Sequence, residues 1–446
     1  MNWSFKYFTF SLALVLTTRG AAQLTSFSVL NPISRLEAMP AFGNSPKFYL
    51  EVGGVGLNLA TNFNFGQILG GDVGSNLMQL ARANDVINLN GDVVIRPIGI
   101  LRSKSSYVET MGIEVIQSNS LTIDSDFLQL ITEGITLNPL GQYSNSNSGI
   151  YVSSILKERL FYGRHSKSEN ISISFRINFD APLAGFRFIT DACQLSREFS
   201  TDTNFIAFNY RARAQYFGRE IVDGVLQNGF SVGSLRPNKF TPSLNLGIER
   251  KLSSKLSVGL GVSNFALIPA INDIHEIIYE GGYDFEGVNY QLGVDSMNAI
   301  FEDVSSLDVT SILPTVTEGT GNWNLSGNVD ILLYARVRRG KNKEMLWFVD
   351  RKKDFLTTRT YSGVFLEDTG SKWFHVNYGF TYLLEYGILN PSLSFRALIG
   401  PWTRLSFGIN NPLNIPRFSG GTPYVYSGSN GLNFNVGLSF GTFKQD

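Results

Sequence analysis

The chain has 446 residues, with 37 lysines and arginines against 37 aspartates and glutamates. Because there is no basic excess to neutralise phosphates, this balance argues against a nucleic-acid partner. The single cysteine, Cys193, excludes an intrachain disulfide framework. Aromatic residues make up 13% of the chain and there are 44 glycines. Both values suit a membrane β-barrel, where aromatic residues form interfacial girdles and glycines relieve crowding.

The first 22 residues predict an export signal. One positive charge at Lys6 precedes an apolar run at residues 7–16, and the small residues Gly20, Ala21 and Ala22 follow. This order is typical of a signal peptide, which we expect to be cleaved after about Ala22. The alternative is a short membrane anchor, but the run is well under the ~18 apolar residues that a spanning helix needs.

Residues 23–46 are irregular, and X-Pro pairs at residues 31–32 and 39–40 favour turns or extended chain. We interpret this segment as a candidate plug of a barrel or as a simple periplasmic tail. No later apolar run is long enough for a transmembrane helix, which excludes a helical membrane protein but not a barrel. We treat residues 47–446 as one outer-membrane barrel domain, because no domain break is visible.

The first half of this domain alternates between apolar and polar residues in several segments. Strands are predicted at residues 47–59, 88–102, 107–117, 171–180, 206–216, 243–249 and 256–265. The last two are joined by a short polar turn at residues 251–255. Two short helical inserts are predicted at residues 124–133 and 296–306, and a strand-like stretch at residues 283–294.

The last third of the chain is the most regular. Residues 321–339 alternate strictly, and strands are also predicted at residues 373–387, 393–399, 405–409 and 432–440. We expect about 12 to 16 strands and favour 14, because membrane barrels usually have an even number. A soluble β-sandwich is the alternative, but sandwich domains of ~100 residues would need linkers that the sequence lacks. The fold class is therefore all-β, a single transmembrane antiparallel barrel with short helical inserts.

Residues 256–293 resemble an uncharacterised family of bacterial outer-membrane barrels. In that family a strand ends in an LGxSxxDLGxI phrase, which corresponds to the stretch around Asn264 and Phe265, and a G-x-Y-x-F-x-G phrase follows, which corresponds to residues 282–287. The chain departs from the first phrase by having Asn264 in place of the aspartate and Ala266 in place of the second glycine. The resemblance implies a FadL-like architecture, as in transporters of hydrophobic compounds and barrels that serve secretion machinery, with no settled substrate.

The polar registers of the predicted strands contain charged residues that we expect to line the lumen. One interpretation is a self-neutralising ion-pair network that fills the interior, and the other is a positively biased path for an anionic solute or a fatty-acid carboxylate. The candidate lumen-lining residues are Arg176, Arg211, Arg213, Glu249, Asp330, Arg336, Arg338, Glu385 and Arg396.

Pro97 lies within an otherwise apolar strand and is followed closely by Gly99. Proline cannot donate to a β-ladder, and a closed barrel has no edge strand to accommodate it. These two residues are therefore a candidate kink where neighbouring strands separate, which the resemblance would make a lateral opening. The alternative places Pro97 in a turn or beyond the hydrocarbon layer.

Residues 229–233 match the G-x-S-x-G string of hydrolases, but Pro237 follows too soon for the long helix that this motif requires. His165, His275 and His375 show no metal-binding spacing. We therefore assign no catalytic residue, no metal and no cofactor, and expect no enzymatic activity.

The sequence favours passage of a hydrophobic or amphipathic small molecule across the outer membrane. Its expected surroundings are outer-membrane lipid, such a ligand, and protein partners in the periplasm or at the surface. The alternative is a barrel that does not transport and instead serves as a scaffold or docking partner for secretion or surface machinery.

Overall fold

The structure is a computed structural model that describes eighteen stretches of the chain. They comprise residues 47–61, 86–124, 143–145, 149–166, 170–199, 204–218, 240–268, 270–285, 315–324, 329–340, 342–353, 358–371, 373–384, 388–399, 402–410, 417–419, 422–424 and 431–442.

The described residues form twenty β-strands. They are β1 (Phe48–Thr61), β2 (Val86–Ser103), β3 (Tyr107–Asp124), β4 (Tyr143–Asn145), β5 (Ile150–Ser166), β6 (Ile171–Phe199), β7 (Asn204–Phe217), β8 (Thr241–Lys251), β9 (Leu256–Ala266), β10 (Ala270–Phe285), β11 (Thr315–Asn324), β12 (Val329–Arg339), β13 (Lys343–Lys353), β14 (Thr358–Asp368), β15 (Phe374–Leu383), β16 (Ile388–Leu398), β17 (Thr403–Asn410), β18 (Arg417–Ser419), β19 (Thr422–Tyr424) and β20 (Gly431–Thr442). Within these residues no helix is long and apolar enough to cross a membrane.

Fourteen strands close into one antiparallel barrel, which confirms the predicted fold and strand count. The ring order is β1, β2, β3, β5, β6, β8, β9, β12, β13, β14, β15, β16, β17 and β20. The last strand pairs with the first, from Phe48 opposite Thr442 to Ala60 opposite Gly431. Closure leaves no open edge in the ring. Short turns such as residues 104–106 and 252–255 define one end of the barrel, the short-turn end, and the other is the long-loop end.

The two faces of each ring strand differ in chemistry. In β6, Ile173 is 57% exposed and points outward, whereas Ser174 and Arg176, which lie on the opposite register, are 6% and 2% exposed. The outward register is apolar around the ring, so it forms the surface that a bilayer covers, and the polar register points into the lumen. Trp373 and Trp402 are exposed beside the short turns, where membrane barrels carry interfacial aromatic residues.

The same sheet continues the wall beyond the ring at the long-loop end. The first part of β6, up to Asp180, pairs with β8. The later part of β6 pairs with β7 instead, and the order then continues from β7 to β10 and from β10 to β11. We call these four segments the extension sheet. Strand β7 is followed by Gly218, which has a positive φ of 71° and lies so close to Leu183 that a Cβ would be 2.1 Å from its carbonyl oxygen. A side chain at position 218 is therefore excluded.

The structure corrects several predicted boundaries. The single ribbon at residues 321–339 is divided between β11, which belongs to the extension sheet, and β12, which belongs to the ring. The sequence alternates without a break through β11 and β12, because the side chains of each strand point to the two faces in turn with a period of two residues. The strand expected at residues 283–294 overlaps β10 only at residues 283–285, and β5, β13 and β14 were not predicted. Both predicted helices lie outside the described residues, apart from Asp124, which ends β3.

Candidate functional site

Four ionisable side chains lie on the inward registers of β1, β2, β3 and β6, and we call them the acid–arginine cluster: Glu51, Arg96, Glu114 and Arg176. The Glu114 carboxylate accepts from Arg96 Nε at 2.9 Å and from Arg176 Nη2 at 3.1 Å. Arg96 also pairs with Glu51 at 3.1 Å. All four residues are at most 6% exposed. The Arg176 guanidinium lies 3.8 Å from the Phe161 ring centroid, which adds a cation–π contact.

The hydrogen bonds continue from this cluster towards β9 and β12. Arg176 Nε donates to Asn178 at 2.8 Å, and the Asn178 amide donates to Asn245 on β8 at 3.2 Å. Asn245 Oδ1 in turn accepts from the backbone N–H of Asn264 at 2.9 Å. Asn264 Nδ2 then donates to Asp330 at 2.9 Å. Polar contacts therefore connect the inner faces of strands on opposite parts of the ring.

Asn264 holds this junction through an unusual backbone. Its φ of 59° is the only positive value at a non-glycine residue in the described stretches, and asparagine tolerates this left-handed region better than most residues. The side-chain oxygen of Asn264 accepts from Arg159 at 3.3 Å. Arg159 and Lys157 both pair with Asp180. Asn264 therefore links the ion pairs around Asp180 to Asp330 on the inner face of the barrel.

A second charged group lies nearer the short-turn end. Arg336 Nη2 donates to Glu249 at 2.6 Å, and the Tyr334 hydroxyl donates to the other oxygen of that carboxylate at 2.6 Å. Arg336 also lies 3.5 Å from Glu344. The two carboxylates neutralise the buried guanidinium, which would otherwise be costly to desolvate.

Seven apolar side chains face the lumen beside this group, and we call them the inner apolar patch: Leu332, Tyr334, Leu346, Phe348, Tyr361, Phe365 and Leu383. They come from four consecutive strands, β12 to β15, and each is at most 6% exposed. The rings of Phe348 and Phe365 stack with centroids 5.3 Å apart. The interior of a membrane barrel is generally polar, so an apolar area on the inner wall requires a specific explanation.

Glycines opposite the rings allow these side chains to lie against the wall. Gly259 faces Tyr334 across the ladder, and Gly363 faces Phe348. A Cβ on Gly259 would lie 2.2 Å from the Tyr334 ring, and one on Gly363 would lie 2.7 Å from the Phe348 ring. Because the glycines have no side chain, each ring can lie directly over its partner strand.

Small polar side chains adjoin the inner apolar patch on β15, β16 and β17. Asn377 and Thr381 are fully buried and point into the lumen, as do Ser394 and Ser406. Among the described residues, the polar atoms at the ends of these four side chains have no hydrogen-bond partner; they are Asn377 Nδ2 and Oδ1, Thr381 Oγ1, Ser394 Oγ and Ser406 Oγ. Buried polar atoms are normally paired, so this area is suited to a polar group that enters the lumen.

The structure places most of the sequence-predicted lumen residues on inward registers of the ring. Arg176, Glu249, Arg336 and Arg396 are buried there, and Asp330 is partly buried. Arg338 is exposed at the short-turn end, 3.8 Å from Glu344.

Two further predicted residues belong to β7 in the extension sheet, beyond the ring. There Arg211 is exposed and Arg213 pairs with Asp191. Glu385 and the G-x-S-x-G string at residues 229–233 lie outside the described residues.

Sequence reasoning missed the acidic partners Glu51, Glu114 and Asp180 and the cations Arg96 and Arg159. Glu114 was available as the one charge in the polar register of its strand. Arg159 could not be found, because its strand was not recognised. In the described part of the chain, no group of three His, Cys, Asp or Glu side chains could hold a metal ion.

The candidate kink lies at a double irregularity in the wall. The ladder between β2 and β3 shifts register between Ile95 and Ile98, and that between β1 and β20 shifts between Val52 and Val55. Pro97 is exposed on the outer face, and Gly53, at the same level of β1, has a positive φ of 71°. Gly99 is buried and pairs with Glu51. The pairs on both sides of the irregularity are intact, so a sideways exit requires local opening.

No protein-family model matches the sequence, and no curated protein matches it either. Among solved structures, the toluene transporter TodX of Pseudomonas putida is 8% identical, with a TM-score of 0.42 over 96% of this chain and 95% of that one. The monoaromatic hydrocarbon channel CymD is 9% identical, with a TM-score of 0.40 over 93% and 91% of the two chains. The translocator domain of the autotransporter NalP from Neisseria meningitidis is 7% identical, with a TM-score of 0.32 over 89% of each chain. Likenesses this distant carry no weight on function.

Proposed function

We propose that the protein conducts a hydrophobic or amphipathic small molecule across the bacterial outer membrane and has no enzymatic activity. The observation that carries this proposal is the inner apolar patch, because a barrel that only conducts water-soluble molecules has no use for apolar side chains on its inner wall. An apolar molecule in contact with the patch gains about 25 cal/mol for each Å² of apolar surface removed from water.

The polar side chains beside the patch favour a molecule with both characters. Asn377, Thr381, Ser394 and Ser406 offer donors and acceptors next to an apolar wall. A ligand with one polar group and an apolar body would satisfy both areas at once. A purely hydrocarbon ligand would leave these polar atoms as they are, whereas a ligand group that pairs with one of them removes a penalty of roughly 1–3 kcal/mol.

The route in this proposal has two gates. Residues 23–46 serve as the plug that regulates entry, after removal of the signal peptide at residues 1–22. Local opening at Pro97 and Gly99 releases the molecule sideways into the bilayer. Proline lowers the cost of that opening, because it contributes no ladder hydrogen bond.

The experiment compares uptake of a hydrophobic fluorescent probe, 1-N-phenylnaphthylamine, by cells that express the wild type or a variant. The Leu346→Asn and Phe348→Asn variants make the patch polar and should slow uptake about tenfold each, by the loss of roughly 1.4 kcal/mol of apolar contact. The Leu346→Met and Phe348→Leu variants keep it apolar and should stay near the wild type. Heat-modifiable migration in gels shows that each barrel is folded.

Equal uptake by wild type and polar variants, with all barrels folded, would reject transport through the patch.

A docking role is the second candidate, and the extension sheet favours it. Strand β11 pairs only with β10 among the described strands, and Val316 on it is 52% exposed. Recovery of a stoichiometric protein partner that is lost on deletion of residues 270–324, together with unchanged probe uptake, would support docking instead.

A further inference from the structure

The outer wall of the barrel carries an apolar groove across six neighbouring ring strands, from β8 to β15. Its volume is about 660 Å³, and we call it the wall groove. Two adjacent ladder rows of outward side chains line it. The first row is Arg250, Val258, Ala335, Trp347, Val364 and Phe380, and the second is Ile248, Leu260, Leu333, Val349, Ser362 and Tyr382.

The groove arises from a difference in side-chain size along these rows. Ala335 is small, whereas Leu333 and Trp347 beside it are large and are 54% and 46% exposed. Four inward residues, Gly259, Tyr334, Phe348 and Gly363, also border the groove, and the two glycines have no side chain to thicken the wall there. The result is a depression in a surface that already faces the hydrocarbon of the bilayer.

The direction of the groove matches one leaflet of a membrane. Five strand spacings of about 4.8 Å give a row of about 24 Å. The row runs perpendicular to the strands, so strands tilted by about 45° to the membrane normal incline the row by about 45° to the membrane plane. Along the membrane normal the row therefore spans about 17 Å, close to the ~15 Å thickness of half a hydrocarbon core. Arg250 is the second-last residue of β8 and marks the short-turn end, whereas Phe380 lies near the other end of β15.

Cations gather where the groove reaches the short-turn end. Four exposed basic side chains lie on β8, on β12 and in the turn at residues 252–255: Arg250, Lys251, Lys255 and Arg339. The backbone N–H of Arg338 bonds to the Lys255 carbonyl at 2.8 Å, which brings the turn and β12 together. In the described stretches none of the four forms an ion pair. At two other turns the lysine has an acidic neighbour, Glu109 for Lys104 and Asp368 for Lys343.

We propose that the wall groove is a binding site for an anionic glycerophospholipid of the periplasmic leaflet. One acyl chain lies along the groove, and the phosphate of the headgroup binds the cations around Arg250. Short turns of outer-membrane barrels face the periplasm, where the leaflet supplies phospholipids. Basic side chains near a membrane surface attract anionic headgroups.

The test is native mass spectrometry of the purified full-length barrel, titrated in detergent with phosphatidylglycerol or with phosphatidylethanolamine of the same acyl chains. We expect one phosphatidylglycerol to remain bound at energies that remove the other lipid. The Arg250→Gln/Lys255→Gln variant should bind it about 25-fold more weakly, because each cation contributes about a factor of five. The Arg164→Gln variant, which removes an exposed outward cation elsewhere on the short-turn end, is the matched control and should bind as the wild type does.

The acyl part of the site is tested separately. The Ala335→Trp variant fills the groove and should lose the lipid, whereas Ala397→Trp, at an outward position of β16, should retain it. Equal retention by the two tryptophan variants would overturn the proposal, as would equal binding of the two lipids. A dimer that forms in place of the lipid-bound monomer, and that Ala335→Trp abolishes, would assign the groove to a second copy of the chain and also overturn it.

Discussion

The side-chain amide of Asn264 donates a hydrogen bond to the Asp330 carboxylate at 2.9 Å, although Asn264 has a left-handed backbone with a φ of 59°. The same amide group accepts from Arg159 at 3.3 Å through its oxygen. The orientation of both contacts depends on this backbone, because a β conformation would place the amide elsewhere. One residue therefore joins the acid–arginine side of the lumen to the strands that carry the inner apolar patch.

Substitutions at Asn264 separate its backbone and side-chain contributions. Asn264→Gly keeps the left-handed backbone and removes the amide, so it should lower the free energy of unfolding by about 1–3 kcal/mol. Asn264→Ala removes the same amide and adds the left-handed penalty, so it should cost about 1 kcal/mol more. Urea unfolding in lipid vesicles measures both. Equal stability of the two variants would show that the backbone carries no strain.

Glu114 should be the most sensitive member of the acid–arginine cluster. Glu114→Gln removes the negative charge between Arg96 and Arg176, and breaking a buried pair costs about 3–5 kcal/mol. Its matched control is Glu109→Gln on the same strand, whose pair with Lys104 is partly exposed at 3.8 Å and should contribute under about 1 kcal/mol. The same unfolding assay decides, and a similar loss in both variants would contradict a special role for the buried cluster.

The glycine–tyrosine pair across β9 and β12 predicts a coupled effect. Gly259→Ala should destabilise the barrel by about 1–3 kcal/mol, because the new Cβ overlaps the Tyr334 ring. In a Tyr334→Leu background this cost should largely disappear, as a double-mutant cycle would measure. Gly319→Ala is the control, since nothing lies within 4 Å of its Cβ position. If Gly259→Ala lowers the stability by the same amount in the Tyr334→Leu background, the position of the Tyr334 ring does not depend on the glycine.

The kink predicts an effect on uptake more than on stability. Pro97→Val restores a backbone N–H to the irregularity between β2 and β3, and should reduce uptake of 1-N-phenylnaphthylamine by closing the sideways exit. Pro391→Val, at a proline on ring strand β16 opposite Phe380, should leave uptake unchanged. Full uptake by folded Pro97→Val barrels would argue for an exit elsewhere.

Alternation alone predicted the closed barrel and its two faces, because lipid outside and polar groups inside impose a period of two on most ring strands. The pattern fails at β13, where Leu346 and Phe348 are apolar and point inward while Trp347 is apolar and points outward. Such a strand has no alternation to detect. The same failure marks the inner apolar patch, so the candidate site lies where the sequence signal is weakest.

Strand β5 was missed for a related reason. Its inward register mixes Tyr151, Lys157, Arg159 and Phe161, and Glu158 lies on the outward register between leucines. Charges on both faces conceal the period. The partners within the charged network could not be predicted either, because pairs such as Arg159 with Asn264 are 105 residues apart and depend on the ring order.

Labelling of one introduced cysteine tests the central claim most directly, since Cys193→Ser leaves a background without thiols. In that background, Leu346→Cys places a thiol on the inner apolar patch and Leu333→Cys places one on the lipid-facing wall. We predict that a bulky thiol reagent attached at position 346 blocks uptake of 1-N-phenylnaphthylamine, that the probe slows this labelling, and that labelling at position 333 leaves uptake unchanged. Full uptake after complete labelling at position 346 would contradict passage through the lumen.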